Sequence, residues 1–349
     1  MKKEKVLLAM SGGVDSSVSA LLLQEQGYEV IGIHFILDKD KKDFALVQKV
    51  AEELGIELII EDISEKFQKT VIDYLVEEYG QNRTPNPCVK CNREIKFDFL
   101  KKFAEEHDCE KIATGHYAQV AGKTNSKGEK YFALMKAVDS IKDQTYYLHR
   151  LRQDDLKQVI FPLGKIEKTR IKEIAREKKL SVDSKESQDI CFISNNEKIE
   201  EFLRKKFIKK IAKGKIVDEE RKTLGEHQGL VYYTLGQRKG LGLSGGPYFV
   251  IGKDKEKNEL IVSEDRNHSN LLFKEIGFRS VSWVNDSPKE DKKYLIKTRY
   301  QGAGTTGKVF QKENDDWFAK LDEAQWSPAV GQSLVIYDNE EVIGGGVIF

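Results

Sequence analysis

Residues Val6 to Ser17, VLLAMSGGVDSS, decide how this chain begins to fold. The apolar run up to Met10 reads as a short buried strand, and VSALLLQEQG after the turn reads as a helix closing on Gly27. Between them, adjacent glycines bend the backbone sharply and can turn N–H groups toward an anion at the positive end of the helix. The turn lacks the Gly-Lys-Ser/Thr ending of a Walker loop and the G-x-G-x-x-G spacing of a dinucleotide fingerprint. A bare Gly-Gly would read as a simple strand-to-helix turn. With Ser11, Asp15, Ser16 and Ser17 all able to hydrogen-bond around one bend, a phosphate site is the better reading.

The alternation continues outward. YEVIGIHFIL is a second strand, and DFALVQKVAEELG is a helix with Phe44, Val47, Val50, Ala51 and Leu54 on one face and Gly55 as its stop. IELIIED is a third strand, SEKFQKTVIDYLVEEYG a further helix, and KIATGHYAQV a strand running into a loop. This β-α-β-α-β order predicts a doubly wound, mainly parallel α/β sheet, with ligands at the carboxyl ends of the strands near the switch in strand order. KTRIKEIAREKKL reads as an exposed helix, and the basic passage EFLRKKFIKKIAKGK marks a domain boundary. GLVYYTLGQRKGLGL, PYFVIGKD and NELIVSED then read as short strands of a small central domain. YLIKTRY, TTGKVF, WFAKLD, QSLVIYD and VIGGGVIF predict a C-terminal β-barrel. The expected units are residues 1–200, 201–275 and 276–349.

The 349 residues carry 58 Lys+Arg against 57 Asp+Glu, a net charge of +1 that leaves a nucleic-acid partner open, since a local patch suffices. Four cysteines are no disulfide framework and point to a reducing, cytoplasmic setting. The apolar run after MKKEK is too short for a signal peptide, and no stretch has the length of a membrane span, so the expectation is a soluble protein with no membrane partner.

TPNPCVKCN places Cys88 and Cys91 in a C-x-x-C that suits structural zinc, redox exchange or sulfur handling. Two further ligands at compact spacing, which zinc would want, do not follow. Cys109 reads as a core thiol and His107 as an exposed helix-end residue. A thioredoxin-like pair would stand at a helix start, whereas this one reads as lying in a loop after T-P-N-P.

SGGVDSS resembles the pyrophosphate loop of the ATP pyrophosphatases (the PP-loop superfamily). Adding TPNPCVKCNREIKF, ATGHYA, KDQTYYL, FPLGK, ESQDICFI, YTLGQRKGLG, the late RY pair and GGGVIF, the chain from Met10 onward resembles the tRNA-specific 2-thiouridylases of the MnmA type. The resemblance implies ATP-dependent replacement of the 2-oxygen of the wobble uridine by sulfur. It implies three domains: an ATP-handling unit, a small central unit and a barrel. It assigns ATP to Ala9, Met10, Ser11, Gly12, Gly13, Val14, Asp15 and Ser16 with Phe35 and Gly115, and the magnesium–pyrophosphate end to Asp15. Cys91 matches the nucleophile and Cys191 the persulfide-bearing cysteine, while Asn86, Pro87 and Cys88 match the segment beside the target base. His116, Lys142, Asp143, Gln144, Arg299, Tyr300 and Gln332 match tRNA-contacting positions.

Two departures stand out. Some members have Asp where this chain has Cys88, and DKDKKDF is shorter than the acidic insertion usual after the second strand. Sulfur delivery then has two versions: a Cys191 persulfide released with Cys91, or a 4Fe–4S cluster on Cys88, Cys91 and Cys191 with one open iron. The third thiol favours the cluster. A tRNA anticodon stem-loop would be the substrate, and a cysteine desulfurase, a relay protein or inorganic sulfide the donor. Arg204, Lys205, Lys206, Lys209, Lys210, Gln237, Arg238, Lys239 and Arg299 are candidate phosphate grips, though a lysine-rich helix is as readily a solvated face. Tyr232 and Tyr233 read as packing residues, and at least one of Tyr146 and Tyr147 as facing the anticodon. Two rival readings are another PP-loop enzyme and a catalytically lapsed RNA-binding protein with a metal-stabilised cysteine site.

Overall fold

A computed structural model describes residues 3–39, 44–125, 127–182, 191–193, 199–207, 211–312 and 316–349. Most of DKDKKDF, the ESQDI stretch, Lys209 and Lys210 lie outside the described residues.

The first unit is built from β1 (Lys5–Ala9), α1 (Val14–Glu25), β2 (Glu29–Ile36), α2 (Ala45–Leu54) and β3 (Glu57–Asp62). A helical tract follows as α3 (Ser64–Phe67), a π-turn at Gln68–Ile72 and α4 (Asp73–Gly80). A second tract runs as α5 (Pro87–Cys91), a π-turn at Asn92–Lys96 and α6 (Phe97–Glu106). Next come β4 (Lys111–Ala113), β5 (Gln119–Thr124), β6 (Lys130–Met135), α7 (Thr145–Leu148), α8 (Gln153–Gln158), β7 (Val159–Ile160), α9 (Lys168–Glu177) and α10 (Ile199–Lys206). The parallel sheet has the order β3-β2-β1-β4-β7. Its order reverses between β1 and β4, so the turn after β1 and the loop after β4 lie on either side of the switch point. Helices cover both faces. Leu7, Ile31 and Ile33 pack against Phe97, Leu100 and Phe103 of α6, while Val6, Leu8 and Val30 pack against Leu23, Val47 and Val50. Continuous apolar strands are what a doubly covered sheet requires.

The middle of the chain forms a four-stranded sheet ordered β10-β11-β8-β9, from β8 (Gly214–Val217), β9 (Thr223–His227), β10 (Phe249–Asp254) and β11 (Glu259–Ser263). GLVYYTLGQRKGLGL is not a strand here. Leu230–Tyr232 is a single 3-10 turn, and Gly236 and Gly240 take φ of +78° and +79°, which an extended ladder does not accept. Tyr233 is buried, as expected of a packing residue.

The barrel contains β12 (Leu272–Trp283), β13 (Lys293–Lys297), β14 (Thr305–Gln311), β15 (Trp317–Trp326), β16 (Ser333–Asp338) and β17 (Glu341–Ile348). They run in the order β12-β15-β14-β13-β16-β17, and β12 pairs with β17 to close the ring. The segment read as one strand over KIATGHYAQV divides between two sheets. β4 stays in the parallel sheet, whereas β5 and β6 form a hairpin that joins the barrel sheet through Met135 opposite Glu341. Val335, Tyr337 and Val342 of the barrel accordingly share a core with Leu7 and Leu100. The helix read as exposed, α9, buries Ile171 and Ala175 against Val18 of α1.

Candidate active site

The glycine turn is held from within by serines. Ser11 Oγ lies 3.2 Å from Ser16 Oγ, and the Ser16 and Ser17 hydroxyls donate to the Gly13 carbonyl at 3.2 and 2.9 Å. Gly13 is the N-cap of α1 and supplies no side-chain cap, so the first turn of this 12-residue helix is left to other acceptors. Asp15 does not bond within the turn as its residue type suggested. Its Oδ1 accepts from the Tyr117 hydroxyl at 2.7 Å and from Lys168 Nζ at 2.5 Å. Lys168 is the first residue of α9 and was given no role by sequence reasoning. Nothing local signals it, because 153 positions separate it from Asp15. On the other side of the switch point, Gly115 lies against the turn. A Cβ there would stand 3.1 Å from Asp15 C and Ser16 N, so glycine is what permits the approach.

The C-x-x-C segment is a helix start, not a loop. Asn86 is the N-cap, its Oδ1 accepting from Val89 N at 3.4 Å, and Pro87 follows at the first turn. The loop placement therefore no longer argues against a redox pair; environment has to separate the uses. Cys88 and Cys91 lie three apart on one helical face. Cys88 is half-buried, Cys91 buried and Cys191 exposed, and all are free thiols. Cys91 packs with Phe67, Phe35 and Phe192, and Phe192 meets Phe67 edge-on at 5.4 Å. Since Phe192 is the neighbour of Cys191, this aromatic contact brings the second thiol to the first. Burial pushes the Cys91 thiol up to about 12; Lys96 acts the other way, and Cys191 adds to the rise. Lys96 also acts on His116, whose imidazole burial keeps well below its ordinary value. Lys96, in the NREIKF motif, is thus a second cation that sequence reasoning passed over.

Among the described residues no group of three His, Cys, Asp or Glu side chains is placed to hold a metal ion, Cys88, Cys91 and Cys191 included. Cys91 is turned into an aromatic core while Cys191 stays in solvent.

The cysteine helix is clamped from the barrel. Gln332 Nε2 donates to the carbonyls of Thr84 and Pro85 at 3.0 and 3.2 Å, and Thr84 N donates to the Val330 carbonyl at 2.8 Å. Thr84 Oγ1 also lies 3.1 Å from Thr234 Oγ1 in the central unit. All three units therefore meet at the segment leading into Asn86.

The family described as tRNA methyl transferase HUP domain matches residues 4–195. The tRNA methyl transferase PRC-barrel domain matches 200–264 and the aminomethyltransferase beta-barrel domain 273–348. The chain is 41% identical to the tRNA-specific 2-thiouridylase MnmA of Syntrophomonas wolfei, across 99% of this chain and 100% of that protein. It is 38% identical to MnmA of Clostridioides difficile, across 99% and 98%. The chain belongs to the tRNA-specific 2-thiouridylase family.

The remaining positions expected from that family fall in several environments. Phe35, at the end of β2, packs on Phe99 and Phe103 and also reaches the Cys91 cluster, so it links the core of the parallel sheet to the thiols. His116 is stacked on Phe97 and accepts or donates at 2.8 Å with Thr114 Oγ1. Asp143 turns inward and is buried, its carboxylate taking the Ala137 N–H and the Thr145 hydroxyl. Burial raises its carboxyl above the usual range. Gln144 is engaged by the backbone of Tyr117, accepting its N–H at 3.0 Å. Lys142 is half-buried beside them. Arg299 donates to the carbonyls of Trp326 and Ser327 and lies over the Trp326 ring. Tyr300 packs on Tyr147 at 4.5 Å. Of the tyrosines after KDQ, Tyr146 is buried with its hydroxyl on the Ser333 carbonyl, which leaves Tyr147 as the half-buried one. Arg204 lies over the Tyr232 ring. Cys109 is half-buried against the core and His107 caps α6 at half burial, where more exposure was expected.

Proposed function

We propose that the protein replaces O2 of the wobble uridine of tRNA with sulfur in an ATP-dependent reaction. The observation that carries this reading is the position of Phe35. Its ring shares a cluster with Cys91 and Phe192 at the end of β2, the strand next to the one that feeds the glycine turn. Phosphate-binding backbone and sulfur-handling thiols thus serve one end of one sheet. Family membership supports the substrate and the three-unit division at 1–200, 201–275 and 276–349. The anticodon loop would be held chiefly through its phosphates, with the target base flipped toward Asn86, Pro87 and Cys88.

ATP would lie with its polyphosphate on the turn from Ala9 to Ser16. O2 of uridine attacks the α-phosphorus, pyrophosphate leaves, and N3 loses its proton to solvent. Asp15 suits magnesium as a partly exposed carboxylate beside the phosphate turn, and the ion would neutralise pyrophosphate charge. Lys168 and Tyr117, which hold Asp15 here, would be released or redirected to phosphate. The terminal sulfur of a Cys191 persulfide then adds at C2 and AMP departs, leaving a C2–S–S–Cys191 linkage. Cys91 attacks the Cys191 sulfur, a Cys91–Cys191 disulfide forms, and 2-thiouridine leaves with the Cys91 proton on N3. An external dithiol reduces the disulfide, and a desulfurase or relay protein carrying its own persulfide passes that sulfane sulfur to the Cys191 thiol, leaving the donor's cysteine as a thiol. No step is routed through a cluster. Among the described residues no helix is long and apolar enough to cross a membrane, and free thiols suit the reducing cytoplasm as its setting.

The test is thiolation of unmodified tRNA by anaerobic protein with ATP and a sulfur donor, read as 2-thiouridine by mass spectrometry. It is run on metal-free protein and again after iron–sulfur reconstitution. Activity in metal-free protein that is lost in Cys191→Ser supports the persulfide route. Activity only after reconstitution restores the cluster route. AMP release without 2-thiouridine means a different substrate.

A further inference from the structure

On the far side of the cysteine helix lies a second polar cavity, of about 330 Å3. Its walls come from α4, the segment before α5, the residues after α7, and strands β12 and β17 of the barrel. Val89 and Lys90 line it, and at 100° per residue they point away from Cys88 and Cys91. Four cations face it: Arg83, Lys90, Arg150 and Arg279. Two are neutralised. Arg83 forks onto the Glu78 carboxylate, and Lys90 Nζ lies 2.9 and 2.8 Å from the Glu94 oxygens. Arg150 and Arg279 form no ion pair among the described residues, so the cavity carries two uncompensated positive charges. His149 adds none, because burial lowers its imidazole to about 4.

Arg279 lines this space from an irregular stretch of β12, its exposed guanidinium 5.6 Å from the centre of the Phe349 ring. β12 shifts register against β17 between Arg279 and Ser282, and Ser280 takes a left-handed φ of +53°. A bulge of this kind re-aims the side chains beside it, and a non-glycine residue in that region is strained. Such local strain is found at ligand clamps. Neutral hydrogen-bonding groups complete the lining at Asn86, Ser280 and Ser333. The volume is at the small end of ligand pockets, about 300–1,000 Å3, and suits one nucleotide better than a stacked run.

We propose that this cavity is a subsite for a second nucleotide of the RNA loop, one that is not modified, with its phosphate held between Arg150 and Arg279. The proposal rests on the thiouridylase reading above. Asn86 belongs both to the cavity and to the segment assigned to the target base, and the cavity is one helix width, about 10 Å, from the thiols. The sugar–phosphate chain of an unstacked loop covers that span. The pocket would read a neighbour of the target base, making RNA sequence or loop shape a condition for thiolation.

The experiment measures binding of an anticodon stem-loop to full-length protein across a KCl series, for wild type, Arg150→Ala/Arg279→Ala and Arg150→Lys/Arg279→Lys. Methylphosphonate is placed at one loop phosphate at a time. In wild type, neutralising one phosphate away from the target nucleotide should weaken binding about tenfold and reduce the log–log salt slope by about 0.7. The alanine variant should show both losses with native RNA and no further loss at that phosphate. The lysine variant should recover the slope. Equal affinity and slope in wild type and the alanine variant would overturn the subsite. So would unchanged RNA binding with loss of desulfurase-driven turnover alone, which would make the cavity a protein-docking site. Absence of 2-thiouridine with wild type would refute the underlying reading instead, and the binding series distinguishes the two failures.

Discussion

Lys168 Nζ stands 2.5 Å from Asp15 Oδ1, joining the first turn of α9 to the first turn of α1. Tyr117, from the loop after β4, donates to the same oxygen at 2.7 Å. The carboxylate nearest the glycine turn is therefore already held by a cation and a hydroxyl that phosphate oxygens could also use.

Lys168→Ala should lower kcat/KM for ATP by about 10–100-fold, the worth of roughly 1.5–3 kcal/mol of a charged hydrogen bond. Stability should change by less than about 1 kcal/mol, since Asp15 is 36% exposed and the pair is screened. Steady-state kinetics and a thermal melt check this, with tRNA affinity unchanged.

Gly115→Ala tests the close approach of the β4 loop. The new methyl would press on Asp15 C and Ser16 N at 3.1 Å and displace the turn by tenths of an ångström. A loss of roughly tenfold in ATP-dependent AMP formation is expected, with RNA binding retained.

Thiol labelling should separate the cysteines by pH. With Cys91 pushed up to about 12 by burial, its thiolate is scarce at neutral pH, whereas Cys191 is exposed. Iodoacetamide at pH 7.5 followed by peptide mass spectrometry should find Cys191 modified well before Cys91. The sign for stability follows. A raised folded value means that the protonated thiol contributes stability below its ordinary 9.0, and this is lost as pH rises toward about 12. Cys91→Ser should flatten that part of the stability–pH curve.

Gln332→Ala removes both donations to the Thr84 and Pro85 carbonyls. At about 1 kcal/mol net each, the cost to stability is about 1–2 kcal/mol. The larger effect should be slower thiolation at unchanged KM for ATP, because the segment before Asn86 loses its anchor. Single-turnover 2-thiouridine formation measures it.

Much of this was open to sequence reasoning. The strand, the glycine turn and α1 were legible in VLLAMSGGVDSS because each is a local consequence of apolar run, backbone freedom and helix propensity. Most barrel strands were legible from alternation. β12 was not, because its burial follows no clean two-residue period where the bulge interrupts it. The loop assignment for T-P-N-P missed that Asn followed by Pro is itself a helix-start signal. Asp143 was matched to RNA, yet it faces inward, since a local motif does not say which way a carboxylate turns once a neighbouring N–H is buried.

By itself, then, the sequence determined the α/β alternation, the phosphate turn and the thiols available for chemistry, all properties of residue type and short spacing. Tertiary structure alone decided which groups meet. Lys168 reaches Asp15, Gln332 reaches Thr84, and Phe192 brings Cys191 to Cys91. Those encounters span from about a hundred to nearly 250 positions of chain, and they are set by sheet order and shared cores, where local pattern has no say.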